Sequence, residues 1–185
     1  MIYIFPTDTC FWMACPISRF NEYQKIYEIK KREKSKAIAI MIFDFEYLEK
    51  NTLLTNNQIN FLKNYKNPFT ILINKSKILD KNLLDIINNL NNSEIYEKIA
   101  FRVAHNFIQR RLITEKWPLF LTSANVSNNP EIFSTKEINK YFWELINNRE
   151  MRLFAHKDFI INSQKKYSDI FEFVGENEEL KYFRK

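Results

Sequence analysis

The sequence predicts one α/β domain, and three observations carry that prediction. Short apolar runs such as Ile2–Phe5, Ala37–Phe43 and Pro118–Leu121 have the length of strands. Between them lie segments with apolar residues at helical spacing, of which Thr135–Asn148 is the strongest. No internal repeat and no linker rich in Pro, Gly or Ser breaks the 185 residues, so one unit spanning 1–185 is expected. Apolar residues make up 45% and aromatics 16%, ample for a core and too many for a disordered chain.

Taken in order, Ile2–Phe5 is β-prone and stops at Pro6, where the polar break PTDT (Pro6–Thr9) begins. Cys10–Ala14 resumes the apolar run as a second strand or a buried turn. Ser18 is placed to cap a helix reaching about Arg32, with Phe20, Tyr23 and Tyr27 on one face. That helix runs into the basic cluster IKKREKSK, Ile29 to Lys36, where cations also suit a last helical turn. Ala37–Phe43, apolar nearly throughout, reads as a central strand buried on both faces.

Asp44–Asn51 and Asn56–Tyr65 read as short helices, and Pro68 introduces the buried strand FTILI. Asp80–Asn92 reads as a helix fraying into NNLNN. Lys98–Val103 is a strand that carries Arg102 in an apolar context, and Phe107–Glu115 is helical. Pro118–Leu121 then delivers the polar loop TSAN. Ligands in open α/β sheets bind beyond the carboxyl ends of strands, so Leu121–Pro130 is the first place to seek a site. The helix Thr135–Asn148 sets Ile138, Phe142 and Leu145 on one side. Leu153–Ala155, Phe159–Ile161, Asp169–Phe173 and Leu180–Phe183 are short β runs that close the sheet.

A net charge of +6 suits an anionic partner, nucleotide or RNA. The single glycine, Gly175, excludes Gly-rich phosphate loops and dinucleotide fingerprints, which need several. Phosphate must therefore be held by side chains and by the backbone N–H groups of other loops. Cys10 and Cys15 stand in an apolar stretch with no second pair, and His105 and His156 are the only histidines. Zinc is not expected, and reduced buried thiols are, with the cytoplasm as the default compartment. No apolar run approaches the roughly 20 residues of a membrane span. Arg102 is the most informative single residue. A guanidinium buried in a strand needs an anion, either a ligand's or an internal Asp or Glu.

Five features stand in a fixed order: PTDT at Pro6–Thr9, K-x-R then S-K across Lys30–Lys36, the strand Arg102, SAN at Ser123–Asn125, and Ser168 followed by Arg184. This order resembles the YrdC/TsaC family of threonylcarbamoyl-AMP synthases. The family pattern runs PT(E/D)TVYGL, K-x-R before a buried strand, PGPxT, V-x-V-R-V-P, TSAN-x-S-G-x-P, then a late Ser and a closing Arg. Here the counterparts are PTDTCFWM, KKREKSKAIAI, NPFT, IAFRVAHN, TSANVSNNP, and YSDIFEF with YFRK.

The resemblance implies a single-domain twisted mixed β-sheet flanked by helices. It also implies a nucleotidyltransferase, an L-threonylcarbamoyladenylate synthase. L-threonine and bicarbonate give a carbamate that attacks the α-phosphorus of ATP and expels pyrophosphate. Separate proteins then transfer the product to A37 of tRNA. By the same resemblance Lys30, Arg32, Lys36 and Arg184 clamp the triphosphate, with Mg²⁺ entering on ATP. Asn125 holds the nucleotide, with Ser134 or Thr135 as a further candidate. Arg102 pairs with the threonine carboxylate, and Thr9, Ser123 and Ser168 hydrogen-bond around threonine. No residue is expected to act as a catalytic acid or base, and no protein metal site is expected; the site works by positioning and charge.

The chain departs from the pattern at several places. Phe11, Trp12 and Ala14 replace the tyrosine and glycines after PTDT. Met41 stands where a threonine-holding His is usual, Ala104 where a proline follows the strand arginine, and Asn128 where glycine turns the loop. Asn tolerates the left-handed backbone that glycine supplied. The alternative function is a catalytically degenerate relative that binds tRNA or another RNA on a basic face. The strand-buried Arg102 and the SAN loop favour the synthase, because RNA binding needs neither.

Overall fold

The computed structural model describes residues 1–33, 38–89, 96–116, 118–162, 167–177 and 179–185. The chain opens with a hairpin of β1 (Ile2–Pro6) and β2 (Phe11–Pro16), then α1 (Phe20–Lys30) and β3 (Ala39–Ile42). Next come α2 (Phe45–Asn51), α3 (Asn56–Asn64), β4 (Phe69–Asn74), α4 (Lys81–Asn88) and β5 (Lys98–Val103). The second half holds α5 (Phe107–Lys116), β6 (Leu119–Ser123), α6 (Thr135–Asn147), β7 (Met151–Leu153), β8 (Asp169–Phe173) and β9 (Leu180–Arg184). The nine strands of the described residues join one mixed sheet in the order β7-β1-β2-β6-β3-β5-β4-β8-β9. The β1/β7, β3/β5 and β4/β8 pairs are parallel and the others antiparallel. This is the expected mixed sheet with flanking helices.

Strand alternation sorts the side chains into two cores. Ile2 and Ile4, Phe11 and Met13, Ile40 and Ile42, Phe101, Phe120 and Phe171 pack on one face with Ile26 of α1, Leu48 of α2, Leu83 of α4 and Phe142 of α6. Tyr3 and Phe5, Trp12 and Ala14, Met41, Leu119 and Leu121 lie on the other, covered by Leu112 and Ile113 of α5. One helix cannot cover a face this wide. Beyond α5 the described residues leave a cavity lined by Ala39, Thr70, Leu72 and Ala100.

Several helix starts carry side-chain caps. Asp44 accepts from Tyr47 N at 3.1 Å, Asp80 accepts from Leu83 N at 2.9 Å, and Thr55 and Gln58 form a capping box. The cap expected at Ser18 is not made: α1 begins after Arg19, without a side-chain cap bond, and Phe20 is largely exposed. Phe159–Ile161 is not a strand either. Its one bridge, Ile160 to Ser134, anchors the start of α6 and does not extend the sheet. The Asn-rich turn after α4 falls mostly outside the described residues. No helix among the described residues is long and apolar enough to cross a membrane.

Candidate active site

A turn without glycine shapes the first wall. Between β1 and β2, the Thr7 hydroxyl donates to Cys10 O at 2.8 Å and accepts from the N–H groups of Thr9 and Cys10 at 3.2 and 3.3 Å. It also lies 3.1 Å from the Thr9 hydroxyl, which accepts from the Trp12 indole N–H at 3.2 Å. These bonds close the PTDT turn through a side chain and place Thr9 on the open face.

The second wall is the loop after β6. Ala124 N donates to Phe11 O at 2.8 Å, tying the loop to β2. The Ser123 hydroxyl donates to Asn125 Oδ1 at 2.5 Å, and Asn125 Nδ2 donates to Asn129 O at 2.6 Å. Asn128 takes the left-handed backbone expected of it, with φ at 69°. Beneath the loop lies Lys30, 2% exposed. Its Nζ donates to Ser123 O and Asn125 O at 2.5 Å each, and its own carbonyl accepts from Ser127 N at 2.8 Å. Burial, aided by the nearby Arg32, pulls the Lys30 ammonium down to about 7, while Cys10 and Glu131 act in the opposite direction.

The third wall comes from the far side of the sheet. Arg184 on β9 donates through Nε to Ser168 O at 2.9 Å and through Nη2 to Ser168 Oγ at 3.1 Å. Its guanidinium stands 5.4 Å from the centre of the Tyr167 ring. Thr9, Trp12, Arg32, Ser123, Ser168 and Arg184 thus line a single cavity, floored by Ala39, Ala100, Thr70 and Leu72.

Arg102 is 3% exposed and pairs through Nη2 with Asp8, so the internal carboxylate left open from sequence exists. Its guanidinium lies 4.6 Å from the centre of the Trp12 ring. The other terminal nitrogen, Nη1, is buried without a hydrogen-bond partner. Arg102 lines a second, larger cleft with Asp8, Asn67, His105 and Arg110, while Trp12, whose ring faces the guanidinium, lines the first cavity.

The fold therefore gathers Thr9, Ser123, Ser168, Arg32 and Arg184 around one space and sets Arg102 behind the indole. Lys30 lies under the site. Asn125 is buried in the loop's own bonds, and Ser134 caps α6 in a box with Glu137. Thr135, also weighed for the nucleotide, is fully buried and donates to Lys157 O at 2.5 Å. Lys36 lies outside the described residues. Met41 is 1% exposed in the second core, opposite Arg102 in the β3/β5 register.

Sequence reading passed over Glu131, the one carboxylate among the described residues that line the cavity. The only signal for it was an acid directly after the loop's Pro130. His105 is exposed at the rim of the Arg102 cleft, and His156 is exposed elsewhere. Both thiols are free and buried, and burial pushes Cys10 up to about 11 and Cys15 up to about 12, which leaves them unreactive near neutrality.

The chain is similar to several known proteins. The chain is 29% identical over 143 residues to a threonylcarbamoyl-AMP synthase of Psychromonas ingrahamii, covering 75% of this chain and 70% of that one. Its fold matches E. coli YciO with a TM-score of 0.70 at 19% identity, over 99% of this chain and 82% of YciO. It also matches P. abyssi Sua5 complexed with L-threonine, with a TM-score of 0.68 at 22% identity, over 93% of this chain. The chain spans about half of that Sua5 chain, 47%. The Sua5/yciO/yrdC family model, described as telomere recombination, matches residues 1–180, and the chain belongs to that family.

Proposed function

We propose that the protein is an L-threonylcarbamoyladenylate synthase, a cytoplasmic nucleotidyltransferase acting on ATP, L-threonine and bicarbonate. The observation that carries this reading is the convergence of Thr9, Ser123 and Ser168 with Arg32 and Arg184 on one cavity, beside a buried arginine with an unused nitrogen. Hydroxyls serve a small polar substrate, and arginines serve phosphate.

In this reading Arg102 Nη1 takes one oxygen of the threonine carboxylate, and Asp8 keeps the guanidinium plane fixed. The carbamate formed from the threonine amine and bicarbonate presents an oxygen to the α-phosphorus, and pyrophosphate leaves. Arg32 and Arg184 offset the charge that gathers on the phosphates, in a site where water is partly excluded. Among the described residues no group of three His, Cys, Asp or Glu could hold a metal ion, so magnesium would enter on ATP, with Glu131 the one wall carboxylate near its phosphates. The product would pass to separate transfer proteins for tRNA modification. An RNA-binding role without catalysis has less support, because the polar groups converge on a cavity and not on an open face.

Pyrophosphate release from ATP, with threonine and bicarbonate each omitted in turn, tests the reading. Release that requires both is expected. Release independent of threonine would overturn it.

A further inference from the structure

Lys30 and Arg32 flank one residue, Lys31, whose backbone is left-handed with φ at 48°. That turn ends α1 and divides the K-x-R segment between two duties. Arg32 lines the cavity, whereas Lys30 does not. The Lys30 ammonium is almost wholly buried, faces no carboxylate within ion-pair distance among the described residues, and spends two short bonds on backbone carbonyls. Those carbonyls belong to Ser123 and Asn125. A third tie, Ser127 N to Lys30 O, fixes the loop to the end of the same helix.

A loop exit such as Ser123–Ser127 leaves carbonyl oxygens that regular strand pairing cannot satisfy. A buried acceptor without a donor costs about 1–3 kcal/mol. One ammonium answers two of them at once, and a neutral apolar side chain would answer neither. Arg32, Cys10 and Glu131 are the titratable groups whose charge acts on Lys30, from the segment after α1, the start of β2 and the loop after β6.

We infer that Lys30 is a positioning residue that fixes Ser123 and Asn125 in one arrangement, so that a single buried cation organises both the threonine and the nucleotide subsites. This inference rests on the synthase reading, which assigns Ser123 to threonine and Asn125 to ATP. It departs from a triphosphate contact, since Lys30 is 2% exposed, spends two bonds on carbonyls under the loop and does not line the cavity.

The test is Lys30→Met, which keeps the length of the stem and removes every donor, with ATP and threonine binding titrated separately in variant and wild type. Both dissociation constants are expected to rise at least about tenfold, with cooperative thermal unfolding retained. A purely structural lesion would reduce the folded fraction and leave the constants of the folded protein unchanged, which would overturn the inference. So would a rise confined to ATP, the mark of a direct phosphate contact. If Lys30→Met does not fold, Lys30→Gln, whose amide donor falls one bond short, goes through the same two titrations. There a smaller joint rise is expected, and an ATP-only rise again overturns the inference. Wild-type protein that binds both ligands without releasing pyrophosphate would sink the synthase reading alone. Wild-type protein that binds neither would sink both.

Discussion

Two buried cations, Lys30 and Arg102, sit on either side of the same site and are satisfied in opposite ways. Lys30 meets only backbone carbonyls and has no acid partner among the described residues. Arg102 meets a carboxylate, Asp8, and an indole face, and still keeps one nitrogen unpartnered. The first arrangement is complete without a ligand. The second has an internal carboxylate and one nitrogen to spare, the nitrogen that the proposed function gives to the threonine carboxylate. Burial of a basic residue thus does not by itself assign its role, and the two side chains differ in the partners they keep.

The largest effect should come from breaking the Arg102 side. Asp8→Ala leaves a guanidinium buried without its carboxylate and is expected to cost about 3–5 kcal/mol in denaturant unfolding. A loss under about 1 kcal/mol would mean that water reaches Arg102.

Changing pH sharpens the Lys30 side, because lysine titrates and arginine does not. With its pKa pulled from 10.5 to about 7, folded Lys30 releases a proton that the unfolded chain retains between those values. Its contribution to stability is therefore full above 10.5 and is lost as pH falls toward about 7. Comparing the unfolding free energy of wild type with Lys30→Met should show the wild type gaining about 1 kcal/mol per pH unit from pH 7 to 9. A flat difference would show that the two carbonyls keep the ammonium charged throughout.

Arg102→Ala should then weaken threonine binding roughly 10- to 100-fold and change ATP binding less than about threefold. Equal losses in both would remove the contrast with Lys30. Smallest is Ser134→Ala, which removes the cap of α6 and is expected to cost about 1 kcal/mol with ATP affinity unchanged. A selective loss of ATP binding would restore Ser134 to the nucleotide subsite.

The sheet and most helices were legible because period-2 and helical spacing survive in a chain rich in Ile, Phe and Asn. The helices near Asp44, Asn56 and Asp80 were read without naming their caps, which the structure puts at Asp44, Thr55 and Asp80. Ser18 had the same chemistry, but α1 starts later and its first apolar residue stays exposed. Phe159–Ile161 had strand composition, but its pairing is one bridge to the start of α6 and not to the sheet. Within the site, the order of motifs named Thr9, Arg32, Ser123, Ser168 and Arg184, which line one cavity, but it also named Lys30, Arg102, Asn125 and Ser134, which do not. Spacing alone cannot say that Lys30 turns under the loop while Arg32 turns to the cavity, because one left-handed residue between them decides it. Nor could it place Trp12 over Arg102, a contact between residues far apart in sequence.

The floor of the cavity has a consequence for how such a protein can change. Ala39 and Ala100 sit at sheet positions where a chain so rich in isoleucine and phenylalanine would otherwise place a large side chain. The hollow exists because two methyl groups stand where larger ones would fit the backbone equally well. A drift of either alanine to valine or isoleucine would suit the strand and fill the space, so the fold would outlive the site. Copies of this chain that have retired from their work should betray themselves at those two alanines before any charged residue is lost.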